Sequence, residues 1–306
     1  MNWTGVMPAM TTAFNPDLSV DNATVARHAQ WLVENGCTGI ICLGSLGEGA
    51  TLSFNEKVGV LKTVIAAVAG KAPVVGTVSS LSTAEAVALA RAAHAAGCTG
   101  LMILPPYVYK GDWRENKAHV AAILKATPLP GMLYNNPVAY GTDFLPEQIV
   151  ELANEHPNFA AVKESSADVR RVTAIRSLLA DRLAIFVGVD DAIVEGIAAG
   201  AVGWVAGLVN ALPRESVDLF NLASEGKTKE AFELYRWILP LLRMDTVPKF
   251  IQLIKQIQQE AGAGFARVRP PRLELVGEQL AATRATYHFA QANRPACAVA
   301  STPFQG

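Results

Sequence analysis

Lys163 is the residue whose type and position most clearly predict chemistry. It follows the apolar segment Phe159–Val162 and is the only lysine on a predicted strand. Burial disfavours the ammonium form of a lysine and favours the neutral amine, which is the form that attacks carbonyl carbons. Lys163 is therefore a candidate Schiff-base nucleophile. The alternative is an ion pair with Glu164 or another carboxylate, and the residue by itself does not decide between the two.

A glycine-rich segment, Gly44–Thr51, follows another predicted strand. Its backbone N–H groups and the Ser45 hydroxyl can hold a carboxylate without help from a cation. We therefore expect Ser45, Leu46 and Gly47 to contact an acidic substrate. Glu48 has a simpler interpretation, which is an ion pair at the start of the next helix.

Two tyrosines, Tyr107 and Tyr134, stand just after or at the end of predicted strands. A phenol has an ordinary pKa near 10, so it moves protons efficiently only where a nearby positive charge or hydroxyl stabilises its anion. An iminium on Lys163 would supply that charge. Alternatively, both tyrosines are amphipathic rim residues whose hydroxyl groups bond to the backbone.

These residues need a scaffold that brings strand ends together, and a weak internal repeat predicts one. In the segments Gly36–Ile40, Gly97–Leu101 and Gly200–Trp204 a helix ends at glycine and a strand begins at once. Glycine ends a helix in a left-handed turn, and a short loop then delivers the chain to the next parallel strand. Eight alternations of strand and helix follow, which predicts an α/β fold of the (β/α)8 TIM-barrel type with its active site at the carboxyl ends of the strands.

The predicted elements can be given in chain order. The strands are Gly5–Phe14, Gly39–Gly44, Pro73–Val78, Gly100–Pro105, Gly131–Asn136, Phe159–Glu164, Leu183–Asp190 and Gly203–Leu208. The helices are Asp21–Asn35, Asn55–Ala69, Thr83–Ala96, Trp113–Ala126, Pro146–Glu155, Ala167–Ala180, Ala192–Ala199 and Arg214–Ser224.

The rest of the chain exceeds what a barrel of about 250 residues needs. We expect residues 1–225 to form the barrel and residues 226–291 a C-terminal helical extension of the same domain. Its three helices are predicted at Lys227–Met244, Pro248–Ala261 and Gly277–Gln291, for packing or subunit contacts. Residues 292–306 are rich in small and polar residues, and a loose tail is expected.

Composition excludes several classes of function. The chain is 51% hydrophobic and 17% charged with a net charge of −1, so it lacks the basic surface that nucleic acids require. No apolar run approaches the roughly 20 residues that span a bilayer, and no signal peptide is recognisable, so a cytoplasmic enzyme is expected. The four cysteines lack metal-ligand spacing, and no metal or organic cofactor is expected.

Three segments, Gly44–Glu48, Tyr134–Pro137 and Val162–Glu164, resemble the dihydrodipicolinate synthase and N-acetylneuraminate lyase family in their order and spacing. The resemblance covers nearly the whole chain. It implies a lysine Schiff base with a small 2-oxo acid in a TIM barrel.

The resemblance also implies a role for each matching residue. Lys163 matches the Schiff-base lysine and Tyr134 the general acid/base. Ser45 stands where a hydroxyl relays protons to that tyrosine, and Tyr107 matches a relay tyrosine that a neighbouring subunit contributes in synthases of the family. The backbone N–H groups of Ser45 and Leu46 match the site for the 2-oxo acid carboxylate.

This sequence departs from the synthases of the family at two positions. Ala139, followed by Tyr140, stands where they carry an arginine that binds the carboxylate of a second substrate, so a neutral rim is expected. Leu46 replaces the second hydroxyl of their glycine-rich turn. Both Ala139 and Tyr140 are candidates for substrate binding.

The variable end of the pocket is expected to involve the seventh and eighth strands. Gly188, Asp190 and Val205 are the candidates there. Asp190 and Asp191 have an alternative interpretation, in which they cap the helix that follows them.

Together, the segments Tyr134–Tyr140, Lys163–Asp168 and Val209–Pro213 look most like bacterial family members that act in catabolism rather than in lysine synthesis. This resemblance implies first the reaction of a 1-pyrroline-4-hydroxy-2-carboxylate deaminase in hydroxyproline breakdown. The alternatives are 4-hydroxy-tetrahydrodipicolinate synthase, which condenses pyruvate, and an aldolase or dehydratase for 2-oxo-3-deoxy sugar acids. A barrel that only binds a metabolite would not need the lysine, tyrosine and hydroxyl set. The helical extension and Tyr107 predict a homo-oligomer, either a tetramer or a dimer.

Overall fold

The computed structural model describes residues 1–305 and contains one sheet of eight parallel strands in the order β1-β8-β7-β6-β5-β4-β3-β2. A bridge between Ala9 and Ile41 brings the two outer strands, β1 and β2, together into a nearly closed barrel. The strands are β1 Gly5–Pro8, β2 Ile40–Cys42, β3 Val74–Val78, β4 Gly100–Ile103, β5 Gly131–Asn135, β6 Phe159–Glu164, β7 Ala184–Val187 and β8 Gly203–Ala206. The prediction of a TIM barrel is confirmed.

Helices follow the strands and cover the outside of the barrel. They are α1 Asn22–Glu34, α2 Phe54–Val68, α3 Thr83–Ala96, α4 Trp113–Ala126, α5 Pro137–Tyr140, α6 Pro146–Glu155, α7 Arg170–Leu179, α8 Ile193–Ala198, α9 Pro213–Ser224, α10 Thr228–Leu242, α11 Phe250–Glu260 and α12 Gly277–Ala292. Among the described residues, no helix is long and apolar enough to cross a membrane.

Local sequence explains where several helices begin and end. The side chains of Ser53 and Asp112 each accept a hydrogen bond from the backbone N–H three residues on. The glutamate at that position accepts a hydrogen bond from the backbone N–H of the cap residue, so both ends form capping boxes. Gly97 ends α3 in the left-handed conformation, which costs glycine little. The helices α3, α4 and α6 have the bounds that the sequence predicts, and α2 differs by one residue at each end.

Several strands are shorter than predicted at their carboxyl ends. The strand predicted as Gly5–Phe14 ends at Pro8, and beyond it Ala9 makes only a single bridge to Ile41, although Phe14 is fully buried. The seventh strand likewise ends at Val187, before Gly188 and Asp190. The reason is that an apolar pattern reports burial, and buried residues beyond a strand end continue the pattern without pairing.

Two helix predictions also differ from the structure. The helix predicted from Ala167 begins at Arg170, because Ala167 has a φ of 65°, which a helix cannot accommodate. The single-turn helix α5 was not predicted, since four residues are too short for helical periodicity to show.

The C-terminal segment packs onto the barrel more closely than its composition indicates. The indole of Trp31 donates a hydrogen bond to the Thr302 carbonyl at 2.7 Å, and the Phe304 ring meets the Trp31 ring edge-on. Ser301 donates to the carboxylate of Glu215, a nearly fully buried residue of α9. Specific contacts therefore hold Ser301, Thr302 and Phe304 against the barrel, so at these residues the structure does not show the expected loose tail.

Candidate active site

A cavity of about 580 Å³ opens at the carboxyl ends of the strands. Most of the residues predicted to act in the site line it, and these are Ser45, Leu46, Tyr107, Tyr134, Ala139, Tyr140, Lys163, Gly188 and Val205. Gly47 and Asp190 do not line it. Among the described residues, no cluster of histidine, cysteine and acidic side chains has the arrangement of a metal site.

Lys163 is buried at the end of β6, and its side chain points into the cavity. Burial lowers its pKa to about 8, which leaves a substantial fraction of neutral amine near physiological pH. No carboxylate of the described residues lies within 4.0 Å of its Nζ. Glu164, the alternative ion-pair partner, accepts hydrogen bonds from Asn135 and from the Ser166 backbone instead.

Gly188 provides the space that the lysine needs. A Cβ at this position would lie 2.6 Å from Cε of Lys163 and would overlap the Ser165 hydroxyl. Such distances do not occur between unbonded atoms, so any larger residue would displace the lysine. Gly188 thus shapes the end of the cavity that contains Lys163, in addition to the variable end for which it was predicted.

Tyr134 stands beside Lys163 because β5 and β6 pair in register at these two residues. Nζ of Lys163 lies 4.0 Å from the centre of the Tyr134 ring. Burial raises the pKa of Tyr134 to about 12, and the hydrogen bond that Asn136 donates to its hydroxyl at 3.0 Å opposes this shift. Near neutral pH the tyrosine is therefore a phenol and a proton donor.

Tyr140 lies between Ser45 and Tyr134, although the resemblance implies that the hydroxyl groups of those two residues contact each other directly. Its hydroxyl is hydrogen-bonded to that of Ser45, and its ring lies 5.8 Å from the Tyr134 ring and 6.0 Å from the Tyr107 ring, measured between centroids. Burial raises the pKa of Tyr140. The three tyrosines and Ser45 therefore form one cluster, in which Ser45 contacts Tyr140 rather than Tyr134.

The glycine-rich turn contributes Gly44, Ser45, Leu46, Glu48 and Ala50 to the cavity lining, whereas Gly47 does not line it. The Gly47 carbonyl accepts a hydrogen bond from Thr12 at 2.7 Å, behind the cavity wall. Glu48 is fully buried and accepts hydrogen bonds from Lys255 Nζ at 2.7 Å and from the Arg269 backbone at 2.9 Å. The expected ion pair at the next helix is therefore replaced by one with α11, more than two hundred residues along the chain.

Asp190 holds the backbone behind the cavity. Its fully buried carboxylate accepts hydrogen bonds from the Trp204 indole at 3.0 Å and from the N–H groups of Gly207 and Leu208 at 3.0 and 2.8 Å. It neither lines the cavity nor caps α8, so both interpretations from the sequence are corrected. Its actual role is to fix the loop after β8.

Two charged residues of the cavity were missed because they come from the C-terminal extension. Asp245 ends the short turn after α10, and Arg272 lies in the loop between α11 and α12. Arg272 lies 3.9 Å from Glu48, and its side chain is 27% exposed. The rim is therefore not neutral, and the expectation of a neutral rim drawn from Ala139 is corrected. No local pattern marks either residue, since neither lies on a strand.

The fold and this cavity define a (β/α)8 barrel enzyme with a buried lysine at its catalytic end. A profile of the dihydrodipicolinate synthetase family matches residues 2–288, and the chain belongs to that family of lyases. A relative named 4-hydroxy-tetrahydrodipicolinate synthase, from Desulforamulus reducens, is 30% identical over 90% of this chain and 93% of its own.

Solved structures of similar proteins agree in fold. The 4-hydroxy-tetrahydrodipicolinate synthase from Methylacidiphilum fumariolicum SolV superposes with a TM-score of 0.91 at 26% identity, covering 97% of this chain and all of its own. The chloride-inhibited dihydrodipicolinate synthase from Acinetobacter baumannii, solved with pyruvate, superposes with a TM-score of 0.88 at 27% identity over 95% and 99% of the two chains.

Proposed function

We propose that Lys163 forms a Schiff base with a small 2-oxo acid or its cyclic imine, without a metal or an organic cofactor. The observation that carries this proposal is a buried lysine of lowered pKa, in register with Tyr134, at the bottom of a cavity of substrate size. The pyruvate bound in the Acinetobacter baumannii relative supports the substrate class.

Each residue of the cluster has a part in this chemistry. The neutral amine of Lys163 attacks C2 of the substrate, whose carboxylate is held by the N–H groups of Ser45 and Leu46. Tyr134 donates a proton to the departing oxygen or nitrogen on C2. The iminium then carries a positive charge about 4 Å from the tyrosine ring, which stabilises the phenolate and allows it to take a proton from C3.

The reaction we place first is deamination of 1-pyrroline-4-hydroxy-2-carboxylate. This cyclic imine already contains a C=N bond, so attack by Lys163 opens the ring by exchange of one amine for another. Loss of the 4-hydroxyl, followed by hydrolysis, releases ammonia and a 2-oxo semialdehyde. Ala139 supports this reaction, because a substrate with one carboxylate needs no arginine at that position.

The second candidate is 4-hydroxy-tetrahydrodipicolinate synthase, in which the pyruvate enamine attacks an aldehyde that carries another carboxylate. The names of the relatives favour it over the deaminase. Arg272 favours it too, because this cation at the cavity could bind the second carboxylate from a different part of the chain.

Covalent trapping tests the Schiff base. Pyruvate and borohydride should add one pyruvate-derived mass per chain, located at Lys163 by peptide mapping. Because the neutral amine reacts, the rate of adduct formation should increase with pH and level off above about pH 8. An adduct that persists in Lys163→Ala, or a rate that keeps increasing to pH 10, would contradict this assignment.

A side-by-side assay ranks the two reactions. We expect ammonia release from 1-pyrroline-4-hydroxy-2-carboxylate at a kcat/KM at least about tenfold above that of pyruvate condensation with aspartate semialdehyde. Such a ratio corresponds to about 1.4 kcal/mol in transition-state binding. The opposite ranking would assign the protein to the synthases and leave the Schiff base at Lys163 intact.

A further inference from the structure

Asp245 is an acidic residue of the cavity that has no role in the proposed Schiff-base steps. It lies at the end of the turn Arg243–Asp245, and the C-terminal extension brings it to the same cavity as Lys163. Its carboxyl group packs over Gly207, in the space that a Cβ there would fill. Its Oδ1 is buried and makes no hydrogen bond with the described residues.

The charged groups that face Asp245 form no hydrogen bond to its buried Oδ1. Asp190 and Asp191 approach from the loop after β7, and Lys163 and Tyr134 from the sheet. Asp190 is held by its three donors, and Asp191 pairs with Arg243, the cation on the same turn as Asp245. Lys163 is the facing cation, yet it forms no ion pair with Asp245 within 4.0 Å.

Burial and the nearby Asp190 charge both favour the protonated form of this carboxyl group. They raise the pKa of Asp245 well above its usual value, and Lys163 offsets this only partly. A protonated carboxyl group is a hydrogen-bond donor and an acid, whereas a carboxylate only accepts. A substrate joined to Lys163 would therefore lie in a cavity that also contains a proton donor.

We propose that Asp245 is the catalytic acid that protonates the leaving hydroxyl group at C4 of the substrate. The proposal rests on the proposed deaminase function and deepens it. It explains why an acid from the extension lines a cavity whose Schiff-base chemistry is already supplied by Lys163 and Tyr134. Phenol and carboxyl group then have separate tasks, one at C3 and the other at C4.

The step balances in atoms and charge. Tyr134, as phenolate, takes the proton from C3, and the electrons of that C–H bond form the C3–C4 double bond. The C4–O bond breaks, and its electron pair leaves with the oxygen, which takes the proton of Asp245 and departs as water. Asp245 is left as a carboxylate, which the iminium on Lys163 stabilises.

The competing interpretation is that Asp245 only positions Lys163 or balances its charge. In that case its loss would affect every reaction of the iminium alike, whatever group leaves. A catalytic acid matters only where the leaving group needs a proton. Leaving-group dependence therefore separates the two roles.

The experiment compares wild type, Asp245→Asn and the control Asp191→Asn, which removes a neighbouring acid that does not line the cavity. Borohydride trapping with pyruvate first establishes that each variant folds and carries a reactive Lys163. Ammonia release from 1-pyrroline-4-hydroxy-2-carboxylate should fall by about 10²–10⁴-fold in Asp245→Asn, the usual worth of general acid catalysis, and stay near wild type in Asp191→Asn.

The 4-chloro analogue of the same imine supplies the decisive measurement, because chloride leaves without a proton. The defect of Asp245→Asn should shrink to less than about tenfold with this substrate. In wild type, turnover of the hydroxy imine should decrease as pH rises through the pKa of Asp245, and this decrease should be absent in Asp245→Asn.

An equal defect with both leaving groups, or no defect at all, would overturn the proposal. Wild type that traps pyruvate but releases no ammonia from the hydroxy imine would refute the deaminase and the role of Asp245 together. Wild type without a pyruvate adduct would refute the Schiff base itself. The failure of the inference and that of the proposed function are thus distinct results.

Discussion

At the scale of single residues, the pairing of β5 with β6 couples the chemistry of Tyr134 to that of Lys163. The buried phenol has a pKa of about 12, so its anion is rare in the free enzyme. A positive iminium next to the ring would stabilise that anion. Tyr134 can therefore act as an acid before the Schiff base forms and as a base afterwards, which suits a reaction that needs both.

Replacing Tyr134 with phenylalanine tests this dual role. The variant keeps the ring packing and loses the hydroxyl group, so kcat should fall by about 10²–10⁴-fold with little change in the free energy of unfolding. Steady-state kinetics and urea unfolding measure the two quantities. Tyr109→Phe is the matched control, because the Tyr109 hydroxyl bonds to Glu115 on the surface. Near-normal turnover in Tyr134→Phe would remove this residue from the mechanism.

At the scale of elements, α11 holds the glycine-rich turn that we expect to bind the substrate carboxylate. The Lys255 side chain is 2% exposed and Glu48 is fully buried, so their ion pair is nearly free of solvent. The backbone N–H of Arg269 bonds to the other carboxylate oxygen. The C-terminal extension therefore fixes the conformation of a turn that belongs to the second βα unit.

Lys255→Met tests how much this pair contributes. It leaves Glu48 buried without its cation, which should reduce the free energy of unfolding by about 3–5 kcal/mol. Urea unfolding measures the loss, and Glu48→Gln in the same chain should restore part of it because the unpaired charge is gone. Lys249→Met, at the exposed start of α11, should change stability by less than about 0.5 kcal/mol. A loss below 1 kcal/mol in Lys255→Met would show that the pair is dispensable.

At the scale of the whole molecule, the C-terminal extension contributes residues to the mouth of the barrel, and exposed apolar residues lie near the same cavity. Asp245 and Arg272 reach the cavity from segments beyond the eight βα units. Val108 follows Tyr107 in the chain and is 74% exposed, and Val138 lines the cavity and is 77% exposed. Exposed apolar side chains are typical of a surface that another subunit covers.

We therefore predict that the protein is a homo-oligomer, either a tetramer or a dimer. Sedimentation at micromolar concentration should show a species at least twice the chain mass of 32.5 kDa. Val108→Glu should shift the distribution toward the monomer, because it places a charge in the contact. Leu178→Glu, on the exposed face of α7, is the control. A fully active monomer would contradict the prediction.

The sequence by itself determined the barrel and the centre of the candidate site. Alternating strands and helices are local patterns, set by periodicity, glycine positions and caps, so eight units could be identified one by one. Lys163 and Tyr134 could be placed for the same reason, because each ends a predicted strand and parallel strands of a barrel end together. Boundaries beyond the sheet were less predictable, since buried loop residues continue the apolar pattern.

Only the tertiary structure decided which charges share the cavity. Asp245, Arg272 and the pair formed by Lys255 with Glu48 depend on how the extension packs against the barrel. Such contacts join segments that are distant in the chain, 207 residues apart for Lys255 and Glu48, and no periodicity carries information over such distances. The side chains look like ordinary polar residues in the sequence. Packing alone turns them into a half-buried acid, a rim cation and a buried ion pair, because it removes water from some and leaves others open to the cavity.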